Sequence, residues 1–161
     1  MYTGDDRMNW LTDLLTNPFL ITSLSSWLIA QVLKLIISSV INKKFTISWL
    51  FSDGGMPSGH SATVSSLAVF SLLQEGPASF QFAVTMVLAI IVCHDATGVR
   101  RETGKHAVLL NEIIESFETL ATDERPDVKL KEYVGHTPVQ VFAGITVGIL
   151  NALLMHFIVF S

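Results

Sequence analysis

Residues 19–41 read FLITSLSSWLIAQVLKLIISSVI, and the reading of this run decides the fold. A helix that crosses a bilayer needs roughly 20 mostly apolar residues. Phe19 to Ile41 meets that length, with Pro18 just before it as a helix-start signal. Gln31 and Lys34 interrupt its apolar character and, three residues apart, share one face. A polar loop follows over residues 42–57, with Gly54-Gly55 as a breaker. Residues 61–73 are short for a span and rich in Ser, Thr and Ala, which suits a helix packed against neighbours rather than lipid. Gln74-Glu75-Gly76-Pro77 is a turn signal. Residues 80–96 form a strong further span, and residues 138–160 another, carrying Gly144-x-x-x-Gly148 as a small-residue packing face.

The expected fold is therefore all-α, an integral membrane helical bundle of about four transmembrane helices plus an amphipathic interfacial helix. One domain covers residues 1–161, with spans near 19–41, 59–73, 80–97 and 138–160. The loop 98–135 holds the amphipathic element, where Ala107, Leu110, Ile113, Ile114, Phe117 and Leu120 recur opposite Glu112, Glu115 and Glu118. Residues 122–127 read as its exit.

Composition agrees, with 50% hydrophobic and only 15% charged residues and a mean hydropathy of +0.50. The net charge of −4 argues against nucleic acid as a partner. Cys93 is the single cysteine, so no internal disulfide is open to the chain and a core role is expected. The start, with Asp5, Asp6 and Arg7, lacks the basic region and cleavage site of a secretory signal, so the first apolar run is expected to be retained. Orientation follows from Lys and Arg near the spans. Lys43, Lys44, Arg100, Arg101, Lys105, Arg125, Lys129 and Lys131 lie on one side against Arg7 on the other, which puts both termini outside the cytoplasm.

Three polar clusters fall on that cytoplasmic face. Met56-Pro57-Ser58-Gly59-His60-Ser61 opens the second span. A helix N-terminus offers unpaired N–H groups and a positive dipole end that favour phosphate, glycine lets backbone approach a ligand, and His60 is placed to give a proton to a leaving oxygen. The bland alternative is a capped helix start with an incidental histidine. His94-Asp95-Ala96-Thr97-Gly98-Val99-Arg100-Arg101, then Gly104-Lys105-His106, forms the second cluster. Asp95 at a membrane boundary needs a partner, Arg100 or Arg101 supplies one, and the other arginine is left for phosphate oxygens; a positive-inside anchor is the alternative. Gly135-His136-Thr137-Pro138-Val139-Gln140 opens the last helix. Thr137 suits the N-cap, Pro138 the first helical position and Gln140 the reciprocal place in a capping box, with His136 just outside. Lys34 either snorkels or reaches the same anion site. His106 reads as a surface residue and His156 as unrelated to the site, and no metal-ligand spacing appears.

Together these motifs resemble the superfamily of type-2 phosphatidic acid phosphatases and vanadium-dependent haloperoxidases, and most closely its short divergent membrane branch, the YuiD-like proteins. The resemblance runs from Gln31-x-x-Lys34 through Met-Pro-Ser-Gly-His-Ser-Ala and Asp-Ala-Thr-Gly-Val-Arg-Arg-x-x-Gly-Lys to Gly-His-Thr-Pro-Val-Gln-Val-Phe-Ala-Gly. It implies His60 as general acid, His136 as the nucleophile that forms a phosphohistidine, and Lys34 as a phosphate-binding lysine. Two departures accompany it. The motif arginines are missing in place, with Ile41 and Asn42 after Lys34 and Leu130 before His136, and Gln140 stands where an orienting aspartate is expected. Arg100, Arg101 and Lys105 are the substitute cations, and Asp95 the substitute carboxylate.

The implied function is a lipid phosphate or diphosphate phosphatase at the cytoplasmic face, with catalytic His136, His60 and Asp95 and with Lys34, Ser58, Gly59, Arg100, Arg101 and Lys105 holding substrate. It needs no cofactor or metal, since fixed cations neutralise the developing charge. The alternative is a catalytically degenerate anion- or lipid-binding membrane protein on the same scaffold. Transport and haloperoxidase activity fit less well. The expected partners are a lipid phosphate substrate and membrane lipid, and the Gly144/Gly148 face is suited to a homodimer.

Overall fold

The computed structural model describes residues 4–43, 45, 54–118, 130 and 135–160. They form α1 (Gly4–Leu15), α2 (Pro18–Asn42), α3 (Gly59–Glu75), α4 (Phe80–Thr97), α5 (Val99–Glu118) and α6 (Pro138–Leu154), the last running on into a π-helical turn at Met155–Val159. Among the described residues there is no strand. By length and composition, α2, the continuous stretch Phe80–Ser116 and Pro138–Val159 are long and apolar enough to cross a membrane. Their exposed Leu24, Leu28, Val40, Val87, Ile90, Leu150 and Phe157 would be costly in water and are at home in hydrocarbon.

α3 is the central helix, packed against α2, α4 and α6. Its small residues explain the position. Ser61, Ala62, Ser65, Ser66, Ala68 and Ser71 are buried, and Ser65 and Ser66 return their hydroxyls to the helix's own carbonyls, Ser65 Oγ to Ser61 O at 2.6 Å and Ser66 Oγ to Thr63 O at 2.9 Å. A polar side chain so satisfied lets two helix backbones approach within the bilayer. The approach is closest at α6. A side chain at Gly144 would strike the Ser58 carbonyl, and one at Gly148 would strike Ser65 Oγ and, at 2.5 Å, the Ala62 carbonyl. The small-residue face of α6 thus packs within the chain.

At the end of the bundle away from the three polar clusters, Phe70, Ala152 and Met155 form a core with Phe19, Ile21, Val69 and Phe160 around it. Phe19 and Phe70 meet edge to face at 5.3 Å between ring centroids. His156 lies here, 6.4 Å from Phe70, roughly 30 Å along the helix from His136 at 1.5 Å per residue. Between the two ends, Asn151 of α6 donates from Nδ2 towards Thr22 O (3.1 Å), Ser25 Oγ (2.9 Å) and Ser26 Oγ (2.8 Å) of α2. These bonds bind the first and last membrane helices through their buried polar faces.

Two elements lie outside the packed bundle. α1 has no counterpart among the elements expected from sequence; it is helical over Gly4–Leu15, with Trp10, Leu11, Leu14 and Leu15 exposed along one side. α5 is helical as its periodicity demands; among its described residues only Gly104 and Ala107 are buried, and Leu109, Leu110 and Ile113 face outward, as on an interfacial helix. Lys44, the exit at residues 122–127, Arg125, Lys129 and Lys131 lie outside the described residues.

Candidate functional site

The three polar clusters gather at one end of the bundle through backbone contacts that the sequence prepares locally. Ser58 caps α3, its Oγ accepting from the Ser61 amide at 3.3 Å and from the Ser61 hydroxyl at 3.0 Å. The Ser58 amide donates to Gln140 O at 3.0 Å, which sets the start of α3 against the start of α6. α6 opens with the expected capping box. Thr137 N–H donates to Gln140 Oε1 at 3.0 Å, and Gln140 N–H donates to Thr137 Oγ1 at 3.4 Å.

His136 stands immediately before that cap. Its amide donates to Ala96 O at the end of α4, at 3.0 Å. Gly135 makes this possible, because its φ is +92° and a Cβ there would lie 2.6 Å from the Arg100 carbonyl carbon and collide with the Arg101 amide. Only glycine accepts both the left-handed backbone and the contact. The ring of His136 is buried, whereas His60 is exposed. The two imidazoles meet edge to face, with centroids 6.3 Å apart.

Lys34 reaches this end from α2. It is 3% exposed, and its stem lies 3.2 Å from where a Cβ on Gly55 would stand, at a φ of +103°. Gln31, one turn earlier, is 7% exposed, and its carboxamide carbon lies 3.8 Å from a Cβ built on Gly59, beside the indole of Trp27. Gly59 in the first turn of α3 therefore faces a buried carboxamide, and Gly55, just before that helix, faces the stem of a buried lysine.

Of the remaining predicted residues, Asp95 and Arg100 hold each other and Lys105 holds Glu102. Arg100 Nε donates to Asp95 Oδ2 at 2.6 Å, with both side chains partly exposed. Lys105 Nζ donates to Glu102 Oε1 at 2.6 Å on the outer face of α5. That exposed ammonium holds the Glu102 carboxyl below the usual carboxylate range. The backbone of Arg100 and Arg101 supports Gly135, while both side chains are exposed. The structure thus joins Ser58, Gly59, His60 and His136, sets Lys34 against Gly55 just before them and the Asp95–Arg100 pair beside the Ala96 carbonyl that holds His136, and leaves Lys105 on α5. Gln31, Gly55 and Gly135 were missed as site residues, although the spacing of Gln31 three before Lys34 was a usable signal.

The sequence profile described as the Divergent PAP2 family matches residues 15–151. The chain belongs to the Divergent PAP2 family. The match takes in every helix of the site, from α2 to the body of α6. Within curated proteins, the chain is 39% identical over 152 residues to the uncharacterized membrane protein YuiD of Bacillus subtilis (strain 168), spanning 89% of this chain and 96% of that protein. No solved structure matches it. Family membership and the apolar helices together make this PAP2-like chain an integral membrane protein.

Proposed function

We propose that the chain is a membrane phosphatase that hydrolyses a lipid phosphate or diphosphate at the cytoplasmic leaflet through a phosphohistidine. The observation that carries the proposal is the approach of His60 and His136, 6.3 Å between centroids, at the start of α3 beside buried Lys34. Reacting atoms must come within about 3–3.5 Å, so groups acting on opposite sides of one phosphorus must stand within roughly 6–7 Å.

In the first step a His136 nitrogen attacks phosphorus and the bond from phosphorus to the lipid oxygen breaks. His60 gives its proton to that oxygen. In the second, His60 takes a proton from water as the water oxygen bonds to phosphorus, the P–N bond breaks, and inorganic phosphate leaves. Lys34 and the α3 N-terminus balance the phosphoryl charge. The Asp95–Arg100 pair places an arginine and its counterion beside the loop that carries His136, with Arg101 and Lys105 adding positive charge around the entrance. An apolar cavity of about 240 Å³ between α3, α4 and α6, lined by Ser65, Ala68, Met86, Ala89, Cys93 and Ile145, suits the substrate's hydrocarbon. Ser65 lies one turn along α3 from Ser61, the neighbour of His60, so the cavity runs along the helix that opens the site. The Lys and Arg asymmetry favours the cytoplasmic membrane with both termini outside.

Purified protein in detergent is expected to release phosphate from lipid phosphates without added magnesium. His136→Ala and His60→Ala are each expected to lower the rate at least about 100-fold. Unchanged turnover in both variants overturns the assignment.

One observation favours a second reading, an anion- or lipid-binding protein without turnover. Gln140 sits where the orienting carboxylate is expected and is engaged in the cap, while the Asp95 carboxylate is held by Arg100. Phosphate binding with no hydrolysis of any lipid phosphate would select it.

A further inference from the structure

Resting on that reading of the site, we infer that Gln31 is a direct ligand of the phosphoryl group, working beside Lys34. The Gln31 side chain is buried at 7% exposure, and its Oε1 has no hydrogen-bond partner among the described residues. A carboxamide shielded from water without a partner is destabilising, so a purely structural role would be better filled by an apolar side chain of the same size.

The direction of the side chain gives the loss a purpose. The carboxamide carbon stands 3.8 Å from a Cβ built on Gly59, at the first turn of a helix whose amides and dipole attract anions. Lys34, three residues on and therefore on the same face, is buried at 3% exposure against Gly55. Thr22 Oγ1 and His156 Nδ1 share the lack of a partner, but neither adjoins this helix start. His156 is in the aromatic core at the far end.

A carboxamide matches the ligand chemically. Its NH2 donates to a charged phosphoryl oxygen, and its carbonyl accepts from a protonated P–OH. Lys34 supplies charge without direction, whereas the planar amide fixes the rotation of the phosphoryl group relative to the two histidines. Lipid phosphate and inorganic phosphate share this recognition, because Gln31 contacts the phosphoryl group itself.

The test uses the full chain in detergent, with binding of inorganic phosphate and of a short-chain phosphatidic acid measured by calorimetry, and thermal unfolding recorded without ligand. Gln31→Leu is expected to melt at or above the wild-type temperature while binding both ligands about tenfold more weakly. Gln31→Met, of matching length, should behave alike, and Gln31→Glu should bind neither ligand. Wild-type affinity for both ligands in the Leu and Met variants overturns the role of Gln31 alone. Unfolding of both apolar variants also overturns it, since the side chain is then structural. A loss confined to the lipid places Gln31 on the alcohol side of the substrate and likewise overturns a phosphoryl contact. If the wild type binds neither ligand, the anion site and the phosphatase reading fall together with it.

Discussion

α3 and α6 begin in the same way on paper, each with a hydroxyl N-cap, a proline next to the cap and a histidine within two residues of it, yet the two helix starts are built for opposite ends. The start of α6 closes on itself. Thr137 and Gln140 satisfy each other's amides, Pro138 has no amide to satisfy, and Thr137, Pro138 and Val139 are exposed. The start of α3 is buried, capped by one serine, and looks across Gly59 at Gln31, with Lys34 packed on Gly55 just before it. A self-sufficient helix start serves as a fixed post for His136. A buried start with one cap and a cation nearby is suited to receive an outside anion.

The comparison can be broken most severely at the joint between the two helices. Gly144→Val drives a side chain into the Ser58 carbonyl. It should cost about 3 kcal/mol by overpacking and separate the two starts, read as an earlier midpoint on titration with denaturing detergent and as lost phosphate binding. Next comes Lys34→Met, which keeps the apolar stem and removes the charge. The expected loss is about 2 kcal/mol, roughly 30-fold in phosphate affinity by calorimetry, with the fold retained. Ser58→Ala removes the single cap of α3 and should cost about 1 kcal/mol of stability, with weaker phosphate binding because the first turn loosens. Thr137→Ala should cost a similar or smaller amount, about 0.5–1 kcal/mol, and leave phosphate affinity unchanged. If Thr137→Ala weakens phosphate binding as much as Ser58→Ala does, the two starts are not functionally distinct.

The parts of this arrangement encoded locally were legible. The apolar run to Ile41 gave α2, residues 57–60 marked the start of α3, and Thr137, Pro138 and Gln140 spelled out the α6 cap before any coordinates. Information that depends on who packs against whom was not. Gly144-x-x-x-Gly148 shows a face without saying that α3 fills it. The sequence narrows the partner of Asp95 to Arg100 or Arg101 and the packing selects Arg100, while the hold of Glu102 on Lys105 is not foreseen. Gln31 reads as an interruption in an apolar helix, and its burial beside Gly59 comes only from tertiary packing. α1 is short and carries Asp5, Asp6, Arg7 and Asp13, which mask its helical signal, the repeat of Trp10 with Leu14 and of Leu11 with Leu15 four residues apart.

The Asn151 amide carries a consequence for how the molecule is made. Its acceptors, Thr22, Ser25 and Ser26, emerge from the ribosome long before it does, so the first membrane helix must wait in lipid with its hydroxyls turned back on its own backbone. When the final helix threads in, that single carboxamide locks the rotation of both, and the same arrival delivers His136 to His60. A nascent chain released before its last segment therefore has the His60 end of α3 without the imidazole that meets it.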